Sequence, residues 1–124
     1  LCGSLSVIGD LYKTEAFELC RYINRDKEII PWHTINKPPS AELRPDQKDT
    51  DSLPDYPVLD AILYQYVELS KSAEEIIEQG YDEVVVNKVV KMVYRNDFKR
   101  FQLAPVLAIS PKPFAMREMP IVKK

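Results

Sequence analysis

Glycine is scarce in this sequence: there are three in 124 residues, at Gly3, Gly9 and Gly80, each isolated. That excludes a glycine-rich phosphate loop, a Walker motif and a dinucleotide fingerprint, all of which cluster glycines so that backbone N–H groups can approach phosphate. No nucleophile elbow is present either. The single histidine, His33, excludes histidine-rich metal sites and leaves few nucleophile–base pairs; it reads as a surface or loop residue. Cys2 and Cys20 have no close-spaced partner, so they read as reduced thiols rather than a zinc site or disulfide framework. No run of apolar residues is long enough to span a bilayer. Leu1–Ile8 lacks the charged start and cleavage site of a signal peptide, and the expected location is the cytoplasm. The chain begins at Leu1 without a methionine and reads as the tail of something longer.

What is there is ordinary for a globular protein: 45% apolar and 29% charged residues, with 17 basic and 19 acidic side chains for a net charge of −2. This gives no general bias toward nucleic acid or membrane, and the length suits one domain or part of one.

Proline is abundant at ten residues, and three of them fall in Lys37-Pro-Pro-Ser-Ala-Glu-Leu-Arg-Pro-Asp-Gln-Lys-Asp-Thr-Asp51. This stretch has no helical or strand-like apolar repeat. Two readings stand: a solvated linker, or a lid over about 36–54 that carries Ser40 and basic groups toward phosphates. As a lid it is expected to be mobile without ligand. Glu42, Asp46, Asp49 and Asp51 could bind a metal, but no fixed ligand spacing supports it.

Helical periodicity organises the rest. Thr14 as N-cap, with Glu15 in the first turn, predicts a helix over 14–23 with Ala16, Phe17, Leu19, Cys20 and Ile23 on one face. Lys13 then precedes a helix N-terminus, either as a solvated lysine or as a cation free to meet an external anion. Asn24–Ile35 reads as a charged connector. A helix over 57–69 starts near Tyr56-Pro57 and carries Val58, Leu59, Ile62, Leu63, Tyr66 and Val67. Ser72 and Glu75 form a capping box for a helix over 73–79 that stops at Gly80. Asp82 opens a helix over 83–95, with Val86, Val89, Val90 and Val93 at helical spacing; a strand there is the lesser reading. The proline-rich tail holds at most a short strand at Val106–Ile109. These faces are wider than the helices can cover among themselves, so they are expected to pack on a sheet outside this chain or on a partner. Phe98-Lys99-Arg100-Phe101 suits either stacking on bases and contacting phosphates or a helix end with cations on its last carbonyls.

Three strings resemble NAD synthetase: Gly3-Ser-Leu-Ser-Val-Ile-Gly-Asp-Leu-Tyr-Lys-Thr14, Lys37 through Asp49, and Asp97-Phe-Lys-Arg100 with Gln102. The resemblance is to the C-terminal part of the synthetase domain in the glutamine-dependent enzymes. It covers essentially the whole chain, including Ser110-Pro-Lys-Pro-Phe114 and Met119-Pro-Ile121. It implies a mainly α fragment, the C-terminal helical portion of a Rossmann-like α/β adenine-nucleotide-binding (ATP pyrophosphatase) domain. The implied reaction adenylates deamido-NAD with ATP, and ammonia, from glutamine, then displaces AMP to give NAD. By the same resemblance Lys13 and Ser40 would contact ATP and Lys99 would contact deamido-NAD.

The family's Ser-Gly-Gly-x-Asp-Ser loop and its Mg2+-binding acids lie upstream of these residues. The resemblance therefore implies that the fragment alone is inactive and that its partners are the upstream synthetase and glutaminase portions, in a homo-oligomer without nucleic acid or membrane. Phe98 stands where smaller ammonia-dependent relatives carry histidine, and Arg117 alone represents their arginine pair. Roles for Asp49, Asp51, Arg100 and Arg117 are not assigned. The alternatives are a helical interaction module without catalysis, or another ATP-pyrophosphatase-type enzyme such as a GMP or asparagine synthetase.

Overall fold

The computed structural model describes residues 4–40, 45–46, 49 and 53–113. Among them every regular element is helical, apart from one isolated parallel bridge between Ser6 and Val106. No helix of the described residues is long and apolar enough to cross a membrane. The chain divides into two units, one from Tyr12 to Asp60 and one that joins the residues before Tyr12 with those after Asp60.

In the first unit, α1 spans Lys13–Ile23 and α2 spans Trp32–Asn36, and the two pack together. Thr14 is not the N-cap. Tyr12 holds that position in extended conformation, and its N–H donates to Glu15 Oε2 at 2.9 Å. Lys13 is thus the first residue of the helix rather than the residue before it. Thr14 does not cap because its polar groups are committed elsewhere, to Asp60. The connector after α1 is a tight turn built on the buried Asn24. Its Oδ1 accepts from Ile29 N (3.0 Å) and Ile30 N (2.9 Å), and its Nδ2 donates to Ile30 O at 2.7 Å. With three of its backbone groups satisfied in this way, the chain turns into α2, where Ile35 is buried and His33 is exposed. α1 itself buries no residue completely, and Leu19 on its apolar face stays exposed. Cys20 is a half-buried free thiol; Cys2 lies outside the described residues.

α3 runs Tyr56–Leu63 and continues not as an α-helix to 69 but as a π-turn over Tyr64–Glu68, closed by Leu69 N donating to Tyr64 O at 3.2 Å. The wider turn carries Gln65 and Val67 inward and leaves Leu69 exposed. Buried Gln65 is satisfied by Lys71, whose Nζ donates to Oε1 at 2.9 Å.

In the second unit, α4 spans Ala73–Glu78 and α5 spans Glu83–Asn96. Ser72 and Glu75 cap α4 reciprocally: Glu75 N donates to Ser72 Oγ (3.2 Å) and Ser72 N to Glu75 Oε2 (2.7 Å). Gly80, at φ +96, ends that helix in the left-handed region, where a side chain would be strained. Asp82 Oδ1 accepts from Val85 N at 2.9 Å and starts α5. α4 and α5 pack together, and Ile62, Ile76, Val86 and Val89 are fully buried, each contributing about 1.5–3 kcal/mol by leaving water. The valine-rich run is therefore helix, as its spacing requires, and not strand. α5 passes into a 3-10 turn over Asp97–Gln102.

The tail forms no strand at Val106–Ile109. Only the bridge forms, with Ser6 N on Pro105 O at 2.8 Å and Leu107 N on Ser6 O at 3.4 Å. Pro105, without an N–H, cannot extend a ladder. Part of the lid, including Glu42, Arg44, Lys48 and Asp51, lies outside the described residues, as does the tail from Phe114 with Arg117.

Candidate functional site

Lys13 is exposed at the start of α1, and the helix beneath it is anchored from α3. Asp60, buried to 8% exposure, accepts Thr14 N–H at 2.8 Å and Thr14 Oγ1–H at 2.9 Å, both on Oδ2. One carboxylate thus satisfies an otherwise open donor of the first helical turn and fixes the residue next to Lys13. Its negative charge at a helix N-terminus is also favourable to the dipole.

The Lys13 ammonium lies over the ring of Tyr56, 5.9 Å from its centroid. The Tyr56 hydroxyl donates to Asp49 Oδ2. Burial, then this hydrogen bond, then the negative charges of Asp49 and Asp60 push the Tyr56 phenol far above its ordinary range, so it remains a protonated donor. Asp49 in turn is tied to the start of the lid. Its N–H donates to Pro39 O at 3.0 Å, and its carbonyl accepts from Leu53 N at 2.8 Å. Pro39 immediately precedes Ser40, which is half-buried. A continuous series of contacts therefore runs from Lys13 through Tyr56 and Asp49 to the residue before Ser40. Sequence reasoning brought forward Lys13 and Ser40 but not Tyr56 or Asp60. A tyrosine opening a helix and an acid inside one carry no distinctive pattern.

Lys99 belongs to the other unit, exposed on the 3-10 turn that follows α5. That turn is held by an internal pair: Arg100 Nη2 donates to Asp97 Oδ2 at 3.0 Å, and Arg100 Nε lies 2.7 Å from Asp97 Oδ1. Asp97 is buried, so this charge-assisted contact through Nη2 is shielded from water. Arg100 is thereby engaged within its own turn, while neighbouring Lys99 and Phe98 are exposed. Elsewhere in this unit the buried carboxylate of Asp10 accepts Ile109 N–H (2.8 Å) and Ser110 N–H (2.7 Å) on one oxygen.

Among the described residues no group of three or more His, Cys, Asp or Glu is gathered to hold a metal ion. The arrangement offers exposed cations on ordered helical turns, one braced by an aromatic ring, which is chemistry for binding anions rather than for nucleophilic attack.

Comparison with known proteins bears on which anions. The NAD synthase family model matches residues 1–103. The chain is 50% identical to a glutamine-dependent NAD(+) synthetase of Acinetobacter baylyi, covering 98% of this chain and 23% of that protein. It is 48% identical to a glutamine-dependent NAD(+) synthetase of Synechocystis sp., covering 98% of this chain and 22% of that protein. Among solved structures it resembles the glutamine-dependent NAD+ synthetase of Acinetobacter baumannii in complex with adenosine diphosphate. There the TM-score is 0.55 and the identity 39%, over 90% of this chain and 19% of that one. The chain thus spans less than a quarter of the length of the curated relatives it matches.

Proposed function

The chain belongs to the NAD synthase family, and from that premise we propose that it is the C-terminal helical portion of an enzyme that makes NAD. In this reading the nicotinate carboxylate of deamido-NAD attacks the α-phosphate of ATP and pyrophosphate leaves. Ammonia, released from glutamine in another part of the protein, then displaces AMP from the acyl-adenylate. The observation that carries the reading is the identity to glutamine-dependent NAD(+) synthetases extending over 98% of the chain. A free-standing interaction module, or a GMP or asparagine synthetase, is not favoured by those matches. The ADP held by the Acinetobacter baumannii structure supports an adenine nucleotide as ligand.

Lys13 and Ser40 would contact the ATP phosphates. Negative charge shifts onto the departing pyrophosphate, and an ammonium and a hydroxyl donor already in place would stabilise it. Lys99 would contact deamido-NAD. Mg2+ would offset further phosphate charge, held by the acids that the family resemblance puts upstream of these residues. The incompletely covered apolar face of α1 supports packing on a Rossmann-like α/β sheet supplied by the preceding part of the protein. The whole protein would be a cytoplasmic homo-oligomer.

The test is substrate profiling of the full-length protein. Formation of NAD, AMP and pyrophosphate from ATP, deamido-NAD and glutamine or ammonia is expected. Amidation of xanthosine monophosphate or aspartate, with no turnover of deamido-NAD, would overturn the reading.

A further inference from the structure

Two contacts meet at the side chain of Tyr56, the first residue of α3. Its ring faces the Lys13 ammonium at 5.9 Å, within the reach of a cation–π attraction. Its hydroxyl donates to Asp49, whose N–H in turn holds the carbonyl of Pro39 at 3.0 Å.

We propose that Tyr56 is a positioning residue for the nucleotide phosphates: its ring restrains Lys13, and its hydroxyl, acting through Asp49, restrains the backbone that carries Ser40. The proposal rests on the reading of Lys13 and Ser40 as ATP contacts. A free lysine side chain gives up much rotamer freedom when it meets a phosphate. One already confined over a ring gives up less, and the binding it contributes is correspondingly stronger. The same holds for a serine on a loop whose base is pinned. The phenol keeps its proton through the working pH range because burial and the adjacent carboxylates resist its ionisation, so the tie to Asp49 persists there.

The two halves of the proposal separate by substitution in the full-length protein. Tyr56→Phe keeps the ring and removes the hydroxyl; Tyr56→Leu removes both. Each step is expected to raise KM for ATP about two- to fivefold, with KM for deamido-NAD unmoved. The step from Phe to Leu should vanish in a Lys13→Ala background, and the step from Tyr to Phe should vanish in a Ser40→Ala background. Steps that persist undiminished in both backgrounds, or a KM for ATP that neither Tyr56 substitution moves while Lys13→Ala does, would overturn the proposal. If Lys13→Ala and Ser40→Ala themselves leave KM for ATP unchanged, the phosphate-contact reading fails first and takes this one with it. Should Tyr56→Leu prove unfolded by thermal denaturation, the Phe and Ser40→Ala pair decides alone.

Discussion

Asp60 and Thr14, 46 residues apart, are joined twice: a single carboxylate oxygen takes both the backbone N–H and the hydroxyl of the threonine. The first turn of α1 is therefore held from α3 as well as by its own Tyr12–Glu15 contact. Asp60→Ala should destabilise the full-length protein by about 1.5–3 kcal/mol, because it strands a backbone donor that a charged acceptor had satisfied. Thr14→Val, which loses only the hydroxyl, should cost about 0.5–1.5 kcal/mol. Urea denaturation checks both, and equal losses would show that the backbone bond contributes little.

Lys13→Ala is expected to weaken ATP use by about 1.5–3 kcal/mol as a charge-assisted contact, and Ser40→Ala by about 0.5–1.5 kcal/mol as a neutral one. Lys99→Ala should act on deamido-NAD and leave ATP alone. Steady-state kinetics with each substrate varied separately would show this. Unchanged values for all three variants would dismiss the site while leaving the family intact.

Tyr56 should leave a signature at alkaline pH. Its pKa in the folded chain is raised above the ordinary 10.0 by burial first and by its hydrogen bond to Asp49 second. A raised folded pKa means the associated stability is complete below pH 10 and is lost as pH rises beyond it, when the unfolded phenol ionises and the folded one resists. The stability difference between the parent and Tyr56→Phe should thus be flat from pH 7 to 9 and shift against the parent above about pH 10. Urea midpoints of the two proteins measured across that range give the answer.

Gly80→Ala should cost about 1 kcal/mol. No atom lies within 4 Å of the added methyl, so the whole effect is backbone strain at φ +96. A crowding explanation would predict relief by trimming a neighbour, and there is no neighbour to trim. Ile76→Ala, at a side chain with no exposure, should cost about 2–5 kcal/mol through the cavity it leaves.

What the sequence made legible is what is decided within a few residues. Ser72 and Glu75, Asp82, and Gly80 act on backbone groups three positions away, so their spacing announces them. Thr14 misleads for the same reason: it has the chemistry of a cap, but Asp60 claims it from a distance that no local pattern encodes. α2 is only five residues long, less than two turns, so no apolar repeat announces it. The π-turn after α3 answers a packing demand, the inward placement of Gln65 and Val67, that a regular 3.6-residue repeat does not express. The proposed contacts Lys13, Ser40 and Lys99 follow from family resemblance. The contacts that brace the first two, through Tyr56, became visible only in three dimensions.

Asp10 accepts its two backbone partners from residues 99 and 100 positions further along the chain. A carboxylate that ends buried cannot be buried until those partners exist. During synthesis, at about 5–20 residues per second, it must wait roughly 5–20 s in contact with water while the intervening chain emerges. Closing so large a loop is slow for entropic reasons as well. The unit that contains Asp10 is therefore expected to lock only once Ile109 and Ser110 have been made, with its α4–α5 pair formed first. A released chain that stops before Ile109 would leave the Asp10 carboxylate without these two donors and its opening segment loose.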